Sequence, residues 1–278
     1  MIPLPNGHTR LYGIIGNPVT HSFSPSMQSA AFAEMQVDAL YLPFEIAPND
    51  LPNLLKSMRV LGVKGFNVTV PYKEKILPFL DQLTPTALAL GSVNTVLYQA
   101  GKWIGHSTDG LGFVRSLEEK GWPLKGRRVL LVGSGGSAKA IAFALAEAGI
   151  GALDIINRTQ PKAEGLVAQI NQSYPGLARL NFDKQAYSLL VNTTSAGMDG
   201  IQSPIELHLL DQFEQVADII YNPVQTPLLK TAKGLGLDCI NGLGMLLHQG
   251  TLAFEYWTGK KAPIDTMRRT LNAHLERS

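Results

Sequence analysis

The chain has 278 residues, enough for one large or two ordinary domains, and is 45% hydrophobic and 17% charged, the composition of a globular protein with a substantial core. Its 24 Lys and Arg against 22 Asp and Glu leave a formal charge of +2, and no basic cluster with interleaved aromatics argues for a nucleic-acid partner. One cysteine, Cys239, excludes an internal disulfide and a cysteine-built metal site; MIPLPNGHTR lacks a signal-peptide pattern and no apolar run reaches membrane-spanning length, so a soluble cytoplasmic protein is expected.

Leu11–Ile15 reads as a short strand entering the turn Gly16-Asn17-Pro18. Ser24-Pro25 then opens a helix through Ser26–Glu34, with Ser24 as N-cap and Pro25 at the first helical position. Leu40–Phe44 is a strand. Asn49-Asp50 precede an amphipathic helix running to about Leu61, with Leu51, Leu54, Leu55 and Met58 on one face. Gly65–Val70 is a strand ending at Pro71, and Tyr72–Leu83 reads as a helix that Pro78 must kink or break. Val93–Tyr98 and Trp103–His106 form a hairpin around Ala100-Gly101. This alternation makes a first α/β unit. Asp109-Gly110-Leu111-Gly112 opens a further helix, Phe113–Lys120, which ends at Gly121 and is the expected hinge between two domains.

Beyond the hinge, the strand Val129–Val132 ends in Gly133-Ser134-Gly135-Gly136-Ser137-Ala138, which fits G-x-G-x-x-A. An Ala-rich helix runs to Gly149, and Leu153–Ile156 is a second strand. Strand, glycine turn, helix and strand within about 30 residues is the context of a dinucleotide site, with phosphates at the positive end of the helix. Past the second strand, an Asp or Glu would normally hold a ribose 2′-hydroxyl. Asn157-Arg158-Thr159 stand there, with Lys162 one turn on. No carboxylate repels a phosphate and a guanidinium is available to bind one, so NADP is the expected cofactor. Asp154 lies at the start of that strand, on the wrong end to reach the ribose.

Pro161–Ser173 is a helix, Leu189–Thr193 and Ala217–Tyr221 are strands, Pro227–Lys233 is a helix, and Leu237–Ile240 is a last strand before Asn241-Gly242-Leu243-Gly244. Met245–Thr258 and Pro263–Glu276 are helices with no strand between them, so they must pack on a sheet built earlier. Four polar clusters stand at ends of expected strands, where open α/β sheets place ligand crevices: His21-Ser22-Phe23-Ser24-Pro25, Asn67-Val68-Thr69-Val70-Pro71-Tyr72-Lys73, Ser92-Val93-Asn94-Thr95 and Ser107-Thr108-Asp109-Gly110. Gln249 is a fifth polar position, one turn past Met245. Singly each has a plain structural explanation, such as helix capping by Ser24 and Asp109. The set is more specific.

With these residues in view, the chain resembles the shikimate dehydrogenase family along nearly its whole length, through GNPVTHSFSP, GFNVTVPYKE, GSVNTV, STDGLGF, VGSGGSAKAIAFAL, INRTQPKA, VNTTSAGM and NGLGMLLHQG. The resemblance implies an α/β fold with an N-terminal substrate-binding domain, residues 1–109, completed by C-terminal helices, residues 245–278. A Rossmann-type NADP-binding domain, residues 110–244, is inserted between. It implies reversible NADP-dependent reduction of 3-dehydroshikimate to shikimate in aromatic amino-acid biosynthesis. Residue by residue, it implies Lys73 and Asp109 as the catalytic pair, with Ser22, Ser24, Thr69, Asn94, Asp109, Tyr221 and Gln249 on the substrate. Nucleotide contacts implied are Gly133, Ser134, Gly135, Gly136, Ser137, Asn157, Arg158, Thr159, Lys162, Ile219 and Gly242. No metal is implied, and monomer and homodimer both stay open.

The family commonly reads SPxxHN where this chain has Ser24-Pro25-Ser26-Met27-Gln28-Ser29, and NTDG where it has Ser107-Thr108-Asp109-Gly110; Lys139 stands where arginine is frequent. None of these removes a proposed substrate ligand or catalytic group. A quinate/shikimate dehydrogenase on the same fold and a non-catalytic NADP-binding sensor are the alternatives.

Overall fold

A computed structural model describes residues 4–182 and 186–276. In chain order its elements are β1 (Arg10–Gly16), α1 (Ser24–Glu34), β2 (Ala39–Glu45), α2 (Leu51–Val60), β3 (Val63–Val68), β4 (Gln82–Leu83), α3 (Pro85–Leu90), β5 (Thr95–Gln99), β6 (Lys102–His106) and α4 (Asp109–Glu119). There follow β7 (Arg128–Val132), α5 (Gly136–Glu147), β8 (Ala152–Ile156), α6 (Gln160–Ser173), β9 (Ala178–Arg179), β10 (Tyr187–Asn192), β11 (Phe213–Asp218), α7 (Pro227–Gly234), β12 (Asp238–Ile240), α8 (Leu243–Thr258) and α9 (Ile264–Leu275). The chain divides into two compact units, Met1–Thr108 with Leu247–Ser278, and Asp109–Leu246.

In the first unit the strands form one mixed sheet in the order β2-β1-β3-β5-β6-β4. β1 runs parallel to both β2 and β3, and β5 and β6 form an antiparallel hairpin on the far side of β3. The hairpin turns at Ala100 and Gly101, both with positive φ (50° and 80°), as a tight two-residue connection requires. Leu51, Leu54, Leu55 and Met58 of α2 bury the stripe read from their spacing against Ile15, Phe66 and Val68. The terminal helix α8 folds back on this earlier sheet. Its Phe254 packs against Phe32, its Trp257 against Tyr12 and Tyr41, and the Trp257 indole N–H donates to the Val96 carbonyl at 3.0 Å.

The second unit has an all-parallel sheet, β12-β11-β10-β7-β8-β9. The order reverses direction between β7 and β10, and that reversal opens a crevice at the carboxyl ends of the strands. Val129, Leu131, Leu153, Ile155, Leu189 and Val191 are buried between the sheet and the helices on one face. α4 lies close on α5, where a side chain at Gly110 would overlap the Ala140 carbonyl. Asp154 is fully buried in mid-β8. Arg128 binds it at 2.7 Å and Tyr187 donates to it at 2.8 Å, with Arg179 on its other oxygen at 2.5 Å. Its charge is spent inside the sheet, which accounts for an acid on this strand without any ribose role.

Four local readings are corrected. Ser24 is the first helical residue of α1 rather than its N-cap; Phe23 occupies that position, and no side chain caps the helix. Residues 72–83 hold no α-helix: an isolated Ile76 N–H to Tyr72 carbonyl bond is followed by a short 3-10 turn at Leu77–Phe79, because Pro78 has no N–H with which to continue. β3 stops at Val68, before the expected Val70. β11 runs Phe213–Asp218 and not Ala217–Tyr221, because the Asp218 carboxylate takes the Ile220 N–H at 3.1 Å and turns the chain out of the sheet.

Candidate active site

In the first unit, three of the expected substrate ligands belong to one buried polar network. Tyr41, buried on β2 with Ser24 beside it, donates its hydroxyl to Asn67 Oδ1 at 2.7 Å. Burial pushes the Tyr41 pKa well above the usual phenol range, so its hydroxyl keeps its proton for that bond. The Asn67 amide donates to the Asn94 carbonyl at 3.0 Å and to Thr95 Oγ1 at 3.1 Å. Asn94 in turn accepts from the Thr108 N–H at 2.8 Å and donates to Gln249 Oε1 at 3.5 Å. Gln28, buried on α1, donates to the Gly250 carbonyl at 2.9 Å, next to Gln249 on α8. A buried array whose members hold one another cannot re-aim freely. Tyr41→Phe, which leaves the Asn67 oxygen without that donor, is expected to cost about 1–3 kcal/mol of stability by chemical denaturation; a change below roughly 0.5 kcal/mol would show that the Asn67 oxygen does not depend on the Tyr41 hydroxyl.

The other first-unit residues lie at the same end of the sheet. Because β1 and β3 are parallel neighbours, their carboxyl ends emerge together: Asn17 N–H donates to the Val70 carbonyl at 3.0 Å and Thr69 N–H to the Ile15 carbonyl at 2.9 Å. Ser22 Oγ accepts from the Ser24 N–H at 3.3 Å. Lys73 is half-buried, and its carbonyl accepts from the Val93 N–H at 2.8 Å, which sets its segment beside Asn94. His106, packed at a tilt against the Tyr256 ring, is held by Thr84 at 3.0 Å, and burial lowers its pKa.

In the second unit, the expected nucleotide residues collect at the carboxyl ends of the parallel strands. Gly133 has φ +118°, a conformation closed to most side chains, and a Cβ there would overlap the Thr193 hydroxyl from the end of β10. That hydroxyl is itself bonded to the Val132 carbonyl at 2.6 Å. α5 begins at Gly136 with Gly135 as N-cap, no capping side chain and no acid in its first turn. The space in front of Gly135 is open. A long helix with an uncapped N-terminus facing open space fits a pyrophosphate. Arg158, Thr159 and Lys162 are exposed past β8, and the Asn157 amide donates to the Thr159 carbonyl at 2.9 Å, shaping that turn. The donors fit a 2′-phosphate.

Ile219 and Gly242 meet at the far side of the same crevice: a Cβ at Gly242 would overlap the Ile219 carbonyl, and the Gly242 N–H donates to the Ile220 carbonyl at 3.0 Å. Burial raises the pKa of Tyr221. Asp109, buried, is the first residue of α4. Reading by motif missed Tyr41, Asn192 and Asp218 and gave no role to Asn67, Thr95, Thr108 and Thr193. The available signal for Tyr41 was a hydroxyl on an inward strand position, which needs a partner.

Three family models match successive parts of the chain. Residues 14–96 match the shikimate dehydrogenase substrate binding domain, residues 116–201 the shikimate / quinate 5-dehydrogenase family, and residues 242–271 the shikimate 5′-dehydrogenase C-terminal domain. A shikimate dehydrogenase (NADP(+)) of Symbiobacterium thermophilum is 41% identical over 282 aligned residues, covering 97% of this chain and 96% of that protein. The crystal structure of shikimate 5-dehydrogenase from Thermus thermophilus in complex with NADP(H) and shikimate superposes with a TM-score of 0.88 at 36% identity, over 95% of this chain and 99% of that one. A ligand-free 5-ketofructose reductase of Gluconobacter sp. strain CHM43 superposes with a TM-score of 0.85 at 34% identity, over 97% of this chain and 100% of that one.

Proposed function

Because the chain belongs to the shikimate dehydrogenase family, we propose that it reduces 3-dehydroshikimate to shikimate with NADPH, reversibly, as a biosynthetic enzyme of the cytoplasm. The observation that carries this reading is the buried array Ser24–Tyr41–Asn67–Asn94–Gln249, an ordered set of short neutral donors and acceptors. A cyclohexene acid bearing several hydroxyls is recognised by such groups, because each hydroxyl both gives and takes a hydrogen bond. Ser22 and Ser24 take the ring carboxylate; Thr69, Asn94, Gln249 and Tyr221 take the hydroxyls. NADPH supplies the hydride.

The chain's own residues handle the proton. A ring ketone reduced to an alcohol develops alkoxide charge, and the Lys73 ammonium Nζ both stabilises that charge and delivers the proton to the oxygen. The Asp109 carboxylate shares the substrate hydroxyl next to the reacting carbon. Asp109 follows Thr108 directly in the chain, and Thr108 is fixed by its N–H on Asn94.

Gly133–Ser137 and α5 receive the pyrophosphate, Asn157–Thr159 and Lys162 the 2′-phosphate, and Ile219 and Gly242 the nicotinamide end. Steady-state assays with shikimate and quinate, each with NADP+ and NAD+, and with 5-ketofructose, with NADPH and NADH, test the whole assignment. Shikimate with NADP is expected to give the highest kcat/KM. Comparable efficiency with quinate would reduce the claim to a broader quinate/shikimate enzyme, and absence of any turnover despite tight NADP binding would make the chain a sensor.

A further inference from the structure

We propose that Asp218 is a positioning residue that holds the Ile219–Tyr221 turn in the shape that receives the nicotinamide end of NADP; this rests on the cofactor assignment above. Asp218 ends β11 and is 1% exposed. Its Oδ1 accepts from the Ile220 N–H at 3.1 Å and from the Asn192 amide at 3.0 Å, and its Oδ2 accepts from the Thr226 hydroxyl at 2.7 Å. These donors are neutral, and burial raises the Asp218 pKa to about 6. An acid in such a place is costly to bury. What it gains is three acceptor bonds on one short side chain, each to a different segment.

Those segments frame the turn. Thr226 caps α7 by accepting from the Leu229 N–H at 3.3 Å, so one Asp218 oxygen is tied to a helix start. Asn192 ends β10; its carbonyl takes the Ile219 N–H at 3.1 Å while its side-chain oxygen takes the Thr194 N–H at 3.0 Å. The Ile220 carbonyl takes the Gly242 N–H at 3.0 Å. Residues 219 and 220 are therefore held on both sides, and Asp218 is the point from which the turn departs. None of its bonds reaches the Gly133 turn or the Asn157–Thr159 segment. Its loss is expected to disturb the nicotinamide end and spare the adenosine end.

The test is calorimetric titration of the full-length protein with NADP+ and with 2′,5′-ADP, which carries the adenosine phosphates and lacks the nicotinamide. Asp218→Ala is expected to weaken NADP+ about tenfold or more and to leave 2′,5′-ADP within about twofold. Asp218→Asn keeps Oδ1 for Ile220 and Asn192 and lets the Thr226 hydroxyl act as acceptor, so it is expected to retain NADP+ within about threefold. If Asp218→Ala does not fold, Thr226→Val takes its place and must weaken NADP+ selectively where Thr226→Ser does not. Equal loss of both ligands, unchanged NADP+ affinity, or the same loss in the Asn and Ala variants would each overturn the proposal. A wild-type chain that binds neither ligand would overturn the cofactor assignment instead.

Discussion

Lys73→Ala is expected to lower kcat in both directions by roughly several hundred-fold or more, the scale of a lost general acid, while NADP binding stays nearly intact. The split follows from where Lys73 stands. It belongs to the first unit, five residues beyond the end of β3, with its backbone tied to Val93 beside Asn94. The proposed nucleotide residues belong to the other unit, at the ends of β7, β8 and β11. Removing the amine therefore leaves the glycine turn and the Arg158 segment untouched. The measurement is single-turnover reduction alongside NADPH binding by fluorescence. Turnover near wild type would exclude Lys73 from proton transfer.

Arg158→Asp is expected to lower kcat/KM with NADP about 100-fold and to leave that with NAD within about threefold. Arg158 is exposed just past β8, where its guanidinium is available for charge-assisted bonds to a 2′-phosphate. Aspartate there removes those bonds and adds repulsion, while NAD has no phosphate to lose. Asp154 cannot compensate, because its oxygens are already engaged by Arg128, Arg179 and Tyr187. An unchanged NADP-to-NAD ratio would place the 2′-phosphate elsewhere. Raised salt is expected to weaken NADP binding in wild type more than in this variant, since the contact is at the surface.

The parts of the molecule that were legible in the sequence are those whose cause is local. The strand, glycine turn and helix of residues 128–147 depend on periodicity and on glycines a few positions apart, and both survive in the chain order. The stripe Leu51, Leu54, Leu55 and Met58 is another case, because 3.6-residue spacing is written in the sequence itself. What was not legible depends on partners far along the chain. Tyr41 meets Asn67 across 26 positions and Asn94 meets Gln249 across 155, so no window of sequence contains either pair. β11 was misplaced for a local reason: Ala217–Tyr221 is apolar apart from Asp218, and the bond from the Ile220 N–H to that carboxylate, two positions back, ends the strand. Ser24 looked like a cap because the local pattern was right, but the helix starts one residue earlier, with Phe23 at the cap position.

The close seat of α4 on α5 has a consequence for how such an enzyme is inherited. With no side chain at Gly110, Asp109 is carried on a helix wedged against the one whose start faces the open space at Gly135. A chimera that took residues 109–246 from a relative would import Asp109 together with the proposed nucleotide residues and keep the host's Lys73. Under the roles proposed above, its turnover would then score graft compatibility even where both parts fold and bind.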